Sequence, residues 1–316
     1  MPLHPIVAAV IDKNAGLPAL SDGLPQEARA RLAEGREILG QGPAMQSVEE
    51  VAIPVRHGTI RARVFRPYGE PHGIVVYLHG GGWVLGEIED FDTYARALAA
   101  ASGCVVILPA YRLAPEHPFP AALQDVEDTL MWADGERSEI VRDGVPLVVA
   151  GDSAGANLAT VVAARLLGKI ELAAQVLYYP VTDSDFTRES YRRHGIGLPL
   201  LARDMEWFFG HYAPTDAWGD PAIAPLRSND LVGLPPAIVV CAEYDVLLDE
   251  GLDYADKLRA SGVKVSMRIA EGLPHGFVRL HNVIDTAEVE LRMIGLEITK
   301  ACMAAYPRTD QSLQGS

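Results

Sequence analysis

Hydrophobic positions recur at helical spacing over the first 45 residues and then change period. Ile6, Val7, Val10 and Ile11 make one apolar face of a helix over Pro5–Lys13, and a second amphipathic pattern runs over residues 25–39. From Ser47 the period shortens, and two strand-like stretches flank Gly58, which predicts a hairpin. Apolar runs then fall at residues 73–78, 104–108, 146–150, 173–179, 236–241 and 263–269, with helical patterns between most of them. Near-continuous Val/Ile/Leu strands alternating with helices predict an α/β fold. Its mainly parallel sheet of about eight strands is covered by helices on both faces, and the opening hairpin adds antiparallel strands at one edge.

One interval breaks the rhythm. About 55 residues separate the run ending near Tyr179 from the run at Pro236, too many for a simple crossover. Within it Leu201, Met205, Phe208, Phe209 and Tyr212 share a helical face. Two readings follow: an inserted cap over residues 184–230, which buries its inner face, or a helix packed on the body as ordinary core. Residues 46–183 and 231–316 then form one α/β domain, preceded by a helical segment at 1–45.

Composition narrows the partners. Lys and Arg number 27 against 42 Asp and Glu, a net charge of −15, which disfavours nucleic acid and anionic membrane surfaces. No run approaches the ~18 apolar residues of a membrane span. Cys104, Cys241 and Cys302 are scattered and odd in number, as expected of free thiols in a reducing compartment. The first residues lack the basic and apolar regions of a secretory signal, so the expected setting is cytoplasmic. Nothing has metal-ligand spacing, and neither metal nor cofactor is expected.

The sharpest local signal is "VVAGDSAGANL". A buried run ends at Ala150, Gly151-Asp152-Ser153-Ala154-Gly155 follows, and a helix begins at once. A serine in such a strand–turn–helix elbow is lifted out at the carboxyl end of the sheet and faces the first N–H groups of the helix. The plainer alternative is a capping serine. As a nucleophile, Ser153 needs a base, and the base needs an orienting acid. In elbows of this type the acid and then the histidine follow later strands. Asp245 follows the run ending at Cys241, with Glu243, Asp249 and Glu250 as competitors. His275 follows the run ending at Ile269, with His211 and His281 as competitors.

"YLHGGGWVLG", from Tyr77 to Gly86, follows another strand ending at the same sheet edge. Bare glycines let backbone N–H groups approach an oxygen on which negative charge develops. Each such donor contributes ~3–4 kcal/mol to lowering an acyl-transfer barrier. Gly81, Gly82 and Ala154 are the expected donors of this oxyanion hole. A phosphate cradle lacks its accompanying motif, and a plain loop is the remaining reading. His79 is expected to hold the loop by hydrogen bonding, while Trp83 either walls the substrate pocket or simply packs.

Together "HGGGW" at 79–83, "YRLAPEHPFPAAL" at 111–123, "GDSAG" at 151–155, Asp245 before "LLDEG" and "HGF" at 275–277 resemble the hormone-sensitive lipase-like (bacterial family IV) esterases of the α/β-hydrolase superfamily. The resemblance spans roughly residues 45–300, and the HGGGW and YRLAPE motifs are highly specific. It implies the triad Ser153, Asp245 and His275, and the oxyanion donors named above. It also implies a cap drawn from both the N-terminal helices and the 184–230 insertion, no cofactor, and a small-molecule ester as partner. A homodimer is compatible with it. Arg112 and Glu116 are expected to brace the oxyanion loop. Two departures, Ala156 in place of a second glycine and Val246-Leu247 in place of Pro-Leu, remove no catalytic group. The implied activity is carboxylic ester hydrolysis on short- to medium-chain acyl groups through an acyl-enzyme. Amide, thioester or carbamate hydrolysis is the alternative, as is a binding-only receptor of the same fold.

Overall fold

A computed structural model describes residues 1–306; residues 307–316, assigned from sequence to the catalytic domain, lie outside the described residues. The sheet has eight strands: β1 (Ser47–Val55), β2 (Gly58–Arg66), β3 (Ile74–Leu78), β4 (Val105–Pro109), β5 (Leu147–Asp152), β6 (Ala174–Tyr178), β7 (Ala237–Tyr244) and β8 (Val265–Pro274). Their order is β1-β2-β4-β3-β5-β6-β7-β8. The β1–β2 hairpin is antiparallel and joins β4 antiparallel, and every other pairing is parallel.

Alternation along the central strands feeds two cores. Ile74, Val76 and Leu78 of β3 enter one, beside Leu123, Val126, Leu158 and Leu258 from the helices Ala121–Gly135, Ala154–Arg165 and Leu248–Ala260. Val75 and Tyr77 enter the other, beside Phe91, Tyr94, Leu98, Ile294 and Ile298 from the helices Ile88–Ser102 and Asp285–Ala305. A period of two in a strand covered on both faces demands apolar residues at every position, and this is why these strands read as unbroken runs.

The chain moves outward from β3 to β4 and then returns past β3 to β5. The carboxyl ends of β3 and β5 are therefore neighbours at the point where strand order reverses, and a crevice opens there. The glycine run leaves β3 and the serine turn leaves β5.

Some boundaries differ from the sequence pattern. The helix expected over 25–39 divides at Gly35 into Pro25–Glu34 and Arg36–Leu39, since glycine holds a helix poorly. β7 and β8 run past their apolar stretches to Tyr244 and Pro274, because their last residues meet polar partners: Glu243 accepts the Gly272 N–H at 2.6 Å. Asp245 and His275 consequently sit one residue beyond their strands. His281 lies between the turn Phe277–Leu280 and the last helix, which starts at Asp285. Cys104, Cys241 and Cys302 are free and buried. Among the described residues no helix is long and apolar enough to cross a membrane.

Candidate active site

Ser153 occupies a conformation that few L-residues adopt, with φ +55° and ψ −119°. The flanking glycines make it feasible. A Cβ on Gly151 would lie 2.4 Å from the Gly155 carbonyl oxygen, and one on Gly155 would lie 2.0 Å from that of Leu78. Either contact is with backbone, which cannot step aside. The Ser153 N–H donates to the Tyr178 carbonyl at 2.9 Å, tying the turn to β6.

His275 reaches the elbow from the end of β8. Its Nε2 lies 3.0 Å from Ser153 Oγ, and its Nδ1 lies 2.7 Å from Asp245 Oδ2. Asp245 is fully buried, and its other oxygen accepts the Leu247 N–H at 3.0 Å. The imidazole packs on Tyr179, ring centres 4.6 Å apart. The structure thus brings Ser153, His275 and Asp245 into one hydrogen-bonded line. The competing acids are engaged elsewhere. Glu243 takes Gly272, Asp249 takes the Ser190 N–H at 2.8 Å, and Glu250 takes the N–H groups of Thr182 and Asp183 at 2.7 and 3.2 Å. Of the other histidines, His281 pairs with the Val278 carbonyl and His211 packs on Trp207.

Each glycine of the loop after β3 meets a different constraint. A Cβ on Gly80 would fall 2.4 Å from Asp152 Oδ2, on Gly81 2.3 Å from the Leu85 carbonyl oxygen, and on Gly82 2.2 Å from the Phe208 ring. Gly81 and Gly82 also have φ of +114° and +59°. Among the described residues nothing accepts a hydrogen bond from the N–H of Gly81, Gly82 or Ala154. These free donors border the same cavity as Ser153 or start its helix.

The loop is anchored by groups the sequence pattern did not single out. Asp152, within the elbow motif, accepts the Gly80 N–H at 2.8 Å and the Tyr77 hydroxyl at 2.7 Å, so the serine turn and the glycine loop share one carboxylate. Burial pushes that carboxyl above its usual range. Arg29, from the N-terminal segment, donates to the carbonyls of Val84 at 2.8 Å and Ala114 at 2.9 Å. Glu116 holds Arg29 through a two-pronged pair at 2.8 and 2.7 Å, and so acts on the loop only through it. Arg112 does not reach the loop; it pairs with buried Asp125 at 2.8 Å. Direct bracing from the 111–123 stretch comes instead from Tyr111, whose hydroxyl donates to the His79 carbonyl at 2.6 Å, and from the Ala114 N–H, which reaches the Trp83 carbonyl at 2.9 Å. His79 is stacked against Tyr111 and Phe91, and its Nδ1 contacts the Gly80 carbonyl at 2.7 Å. Burial lowers its pKa to about 4, so its ring is neutral.

Above Ser153 lies a cavity of about 380 Å³. Gly81, Gly82 and His275 form its floor. Val10, Leu32 and Ile38 from the N-terminal segment and Leu200, Met205 and Phe208 from the 184–230 stretch form much of its wall. Of the five pocket residues named from sequence, Met205 and Phe208 line this cavity, while Trp83, Leu201 and Phe209 do not. Trp83 is fully buried, stacked on Tyr212 at 4.2 Å and edge-on to Phe209 at 5.3 Å. Leu201 begins the helix Ala202–Tyr212, and its neighbour Leu200 reaches the cavity instead. The helix's apolar stripe is wider than the cavity. One part faces the cavity and the rest is ordinary core.

Residues 75–279 match the family of the alpha/beta hydrolase fold. The chain is 36% identical to an ethyl acetate hydrolase of Pseudomonas putida over 85% of this chain and 87% of that protein. It is 35% identical to the carboxylesterase NlhH of Mycobacterium tuberculosis over 90% and 92%. A hyperthermophilic esterase from the archaeon Pyrobaculum calidifontis superposes with a TM-score of 0.89 at 36% identity, covering 96% of this chain and 100% of the other. A thermostable esterase from Pseudomonas putida ECU1011 gives 0.91 at 32%, covering 95% and 98%. With the motifs in order and these relatives matched over nearly their full length, the chain belongs to the hormone-sensitive lipase-like esterases of the α/β-hydrolase superfamily.

Proposed function

We propose that this protein is a serine carboxylesterase that hydrolyses small esters with short- to medium-chain acyl groups. The carrying observation is the line from Ser153 Oγ to His275 Nε2 (3.0 Å) and from His275 Nδ1 to Asp245 Oδ2 (2.7 Å), set beneath an apolar cavity. His275 takes the Ser153 proton as Oγ attacks the ester carbonyl. Asp245 fixes the imidazole tautomer and stabilises the imidazolium. Charge gathers on the former carbonyl oxygen, where the unpaired N–H groups of Gly81, Gly82 and Ala154 receive it. Collapse of this intermediate expels the alcohol, protonated by His275, and leaves the acyl group on Ser153. Water, deprotonated by the same imidazole, releases the acid.

Residues 1–45 and 184–230 act as the cap, and residues 46–183 and 231–316 as the catalytic domain. This reading is supported by wall residues from both cap segments meeting over a floor made by the sheet's loops. The three free thiols support a reducing, cytoplasmic setting. A cavity of this volume favours acyl chains of about two to eight carbons, because each buried methylene gains ~0.8 kcal/mol only until the wall is reached. The test is kcat/KM on p-nitrophenyl esters from acetate to palmitate. A rise over the first carbons followed by a fall is expected. A maximum at twelve carbons or more, or no turnover of any ester, would overturn the proposal.

A further inference from the structure

Four residues beyond His275, Arg279 stands in the short turn Phe277–Leu280 and lines the same cavity as Ser153. It is half-buried. Its Nε donates to the Asp90 backbone carbonyl at 3.2 Å, and its guanidinium lies over the Phe91 ring, 5.3 Å from the centre. Its two terminal nitrogens donate to nothing among the described residues, and no carboxylate there comes within 4.0 Å of them. The acidic groups around it are taken: Asp90 by Arg36 at 2.8 Å, and Asp152 by Tyr77 and Gly80.

Four other partly buried arginines are built differently. Arg63, Arg112, Arg188 and Arg268 each pair with at least one carboxylate at 2.5–3.0 Å. Loss of water without such a partner pushes the Arg279 guanidinium below its usual range. An unpaired cation beside apolar walls is costly unless something anionic meets it. The chain's net charge of −15 gives its surface no general attraction for anions, so this cation acts locally. A guanidinium presents parallel N–H groups that fit a carboxylate two-pronged.

We propose that Arg279 is a specificity residue that binds a carboxylate on the substrate, so that the preferred esters are anionic, with the charge on the acyl or the alcohol part. The inference rests on the esterase reading above. The test compares three esters: neutral p-nitrophenyl butyrate, the mono-4-nitrophenyl ester of glutaric acid (acyl-side carboxylate) and 4-(butanoyloxy)benzoate (alcohol-side carboxylate). Each is measured with the wild type, Arg279→Met and Arg279→Lys, with melting temperatures alongside. The wild type should favour one anionic ester over a neutral ester of the same shape, which reveals the side that carries the charge. Arg279→Met should reduce kcat/KM for that ester about 10- to 100-fold more than for the neutral one, chiefly through KM. Arg279→Lys should restore part of the difference, and glutarate should inhibit the wild type competitively and Arg279→Met far less. Turnover of the neutral ester with no anionic preference in the wild type would overturn this inference alone. Equal losses on all esters in both variants would make Arg279 a packing residue. No turnover of any ester would overturn both this and the esterase reading.

Discussion

The turn that carries Ser153 and the wall above it are built by different means. In the turn, backbone meets backbone. Gly151 and Gly155 have no room for a single carbon, and the strained φ of Ser153 is held by β5, β6 and the helix Ala154–Arg165. In the wall, two segments far apart in sequence meet through apolar side chains and a few polar latches, which join residues 183 and 181 positions apart. Sterics of this kind permit one geometry, whereas apolar contact permits many shapes of similar energy. On the proposed function, chemistry therefore belongs to the turn and selectivity to the wall.

The strongest break in this division is at the nucleophile. Ser153→Ala should reduce kcat by about 10⁴–10⁶-fold. It should leave the melting curve within about 1 °C of wild type, because the turn already accommodates a Cβ at this position. Near-normal turnover, measured on p-nitrophenyl butyrate, would remove Ser153 from the mechanism.

Gly82 is where the two regions touch, since a Cβ there would fall on the Phe208 ring. Gly82→Ala should lose about 10²–10³-fold in kcat/KM, as expected when one oxyanion donor is displaced. Adding Phe208→Ala clears the ring and should recover at least tenfold. A double variant no better than the single one would mean that the backbone turn, not the wall, dictates the glycine.

This division also governs what could be read from sequence. The elbow and the glycine loop are short contiguous patterns, so Ser153, Gly81, Gly82 and Ala154 stood out. Asp245 and His275 were found from their place after strands, although both strands run further than their apolar stretches. The wall was only partly legible. Met205 and Phe208 share a helical stripe with Phe209, and nothing in the period tells which of them faces a cavity. Leu200 falls outside the stripe, and Val10, Leu32 and Ile38 come from a distant segment. Arg29 carries no local signal, because its partners lie 55 to 87 positions away. Asp152 was visible as a letter of the elbow motif, but its bond to Gly80 depends on β3 and β5 being neighbours.

The glycine loop differs from the elbow in containing a buried imidazole. Burial holds His79 at about 4, below its ordinary value near 6.5. Between these values the unfolded chain binds a proton that the folded one refuses. Stability is therefore full above about pH 6.5 and falls as pH drops toward 4. One such proton costs about 1.4 kcal/mol per pH unit, or about 3 kcal/mol by pH 4. Urea midpoints from pH 7 to 4 should fall more steeply for wild type than for His79→Asn. Parallel curves would show that other groups carry the acid sensitivity; His194 and His281 are also lowered by burial.

The smallest effect belongs to the latch between the two wall segments. Asp204, 1% exposed, accepts the Ser21 N–H at 3.0 Å from the N-terminal segment and the Leu201 N–H at 3.1 Å at the start of its own helix. One carboxylate thus caps the helix that carries Met205 and Phe208 and fastens it to the segment that carries Val10 and Leu32. Beside it Arg203 pairs with Asp22 at 2.9 Å, but Arg203 is 59% exposed. An exposed pair contributes at most about 1 kcal/mol. Asp204→Ala leaves two backbone donors without partners, at a cost of about 1–3 kcal/mol. Because the elbow does not depend on this contact, kcat on a short ester should stay within about threefold. The wall should loosen, so that the chain-length optimum shifts toward longer acyl groups by a few carbons, mainly through KM. Arg203→Ala should shift it less. If Asp204→Ala lowered kcat equally on every ester with the optimum unmoved, wall and turn would be one mechanical unit, and the separation drawn between them would be wrong.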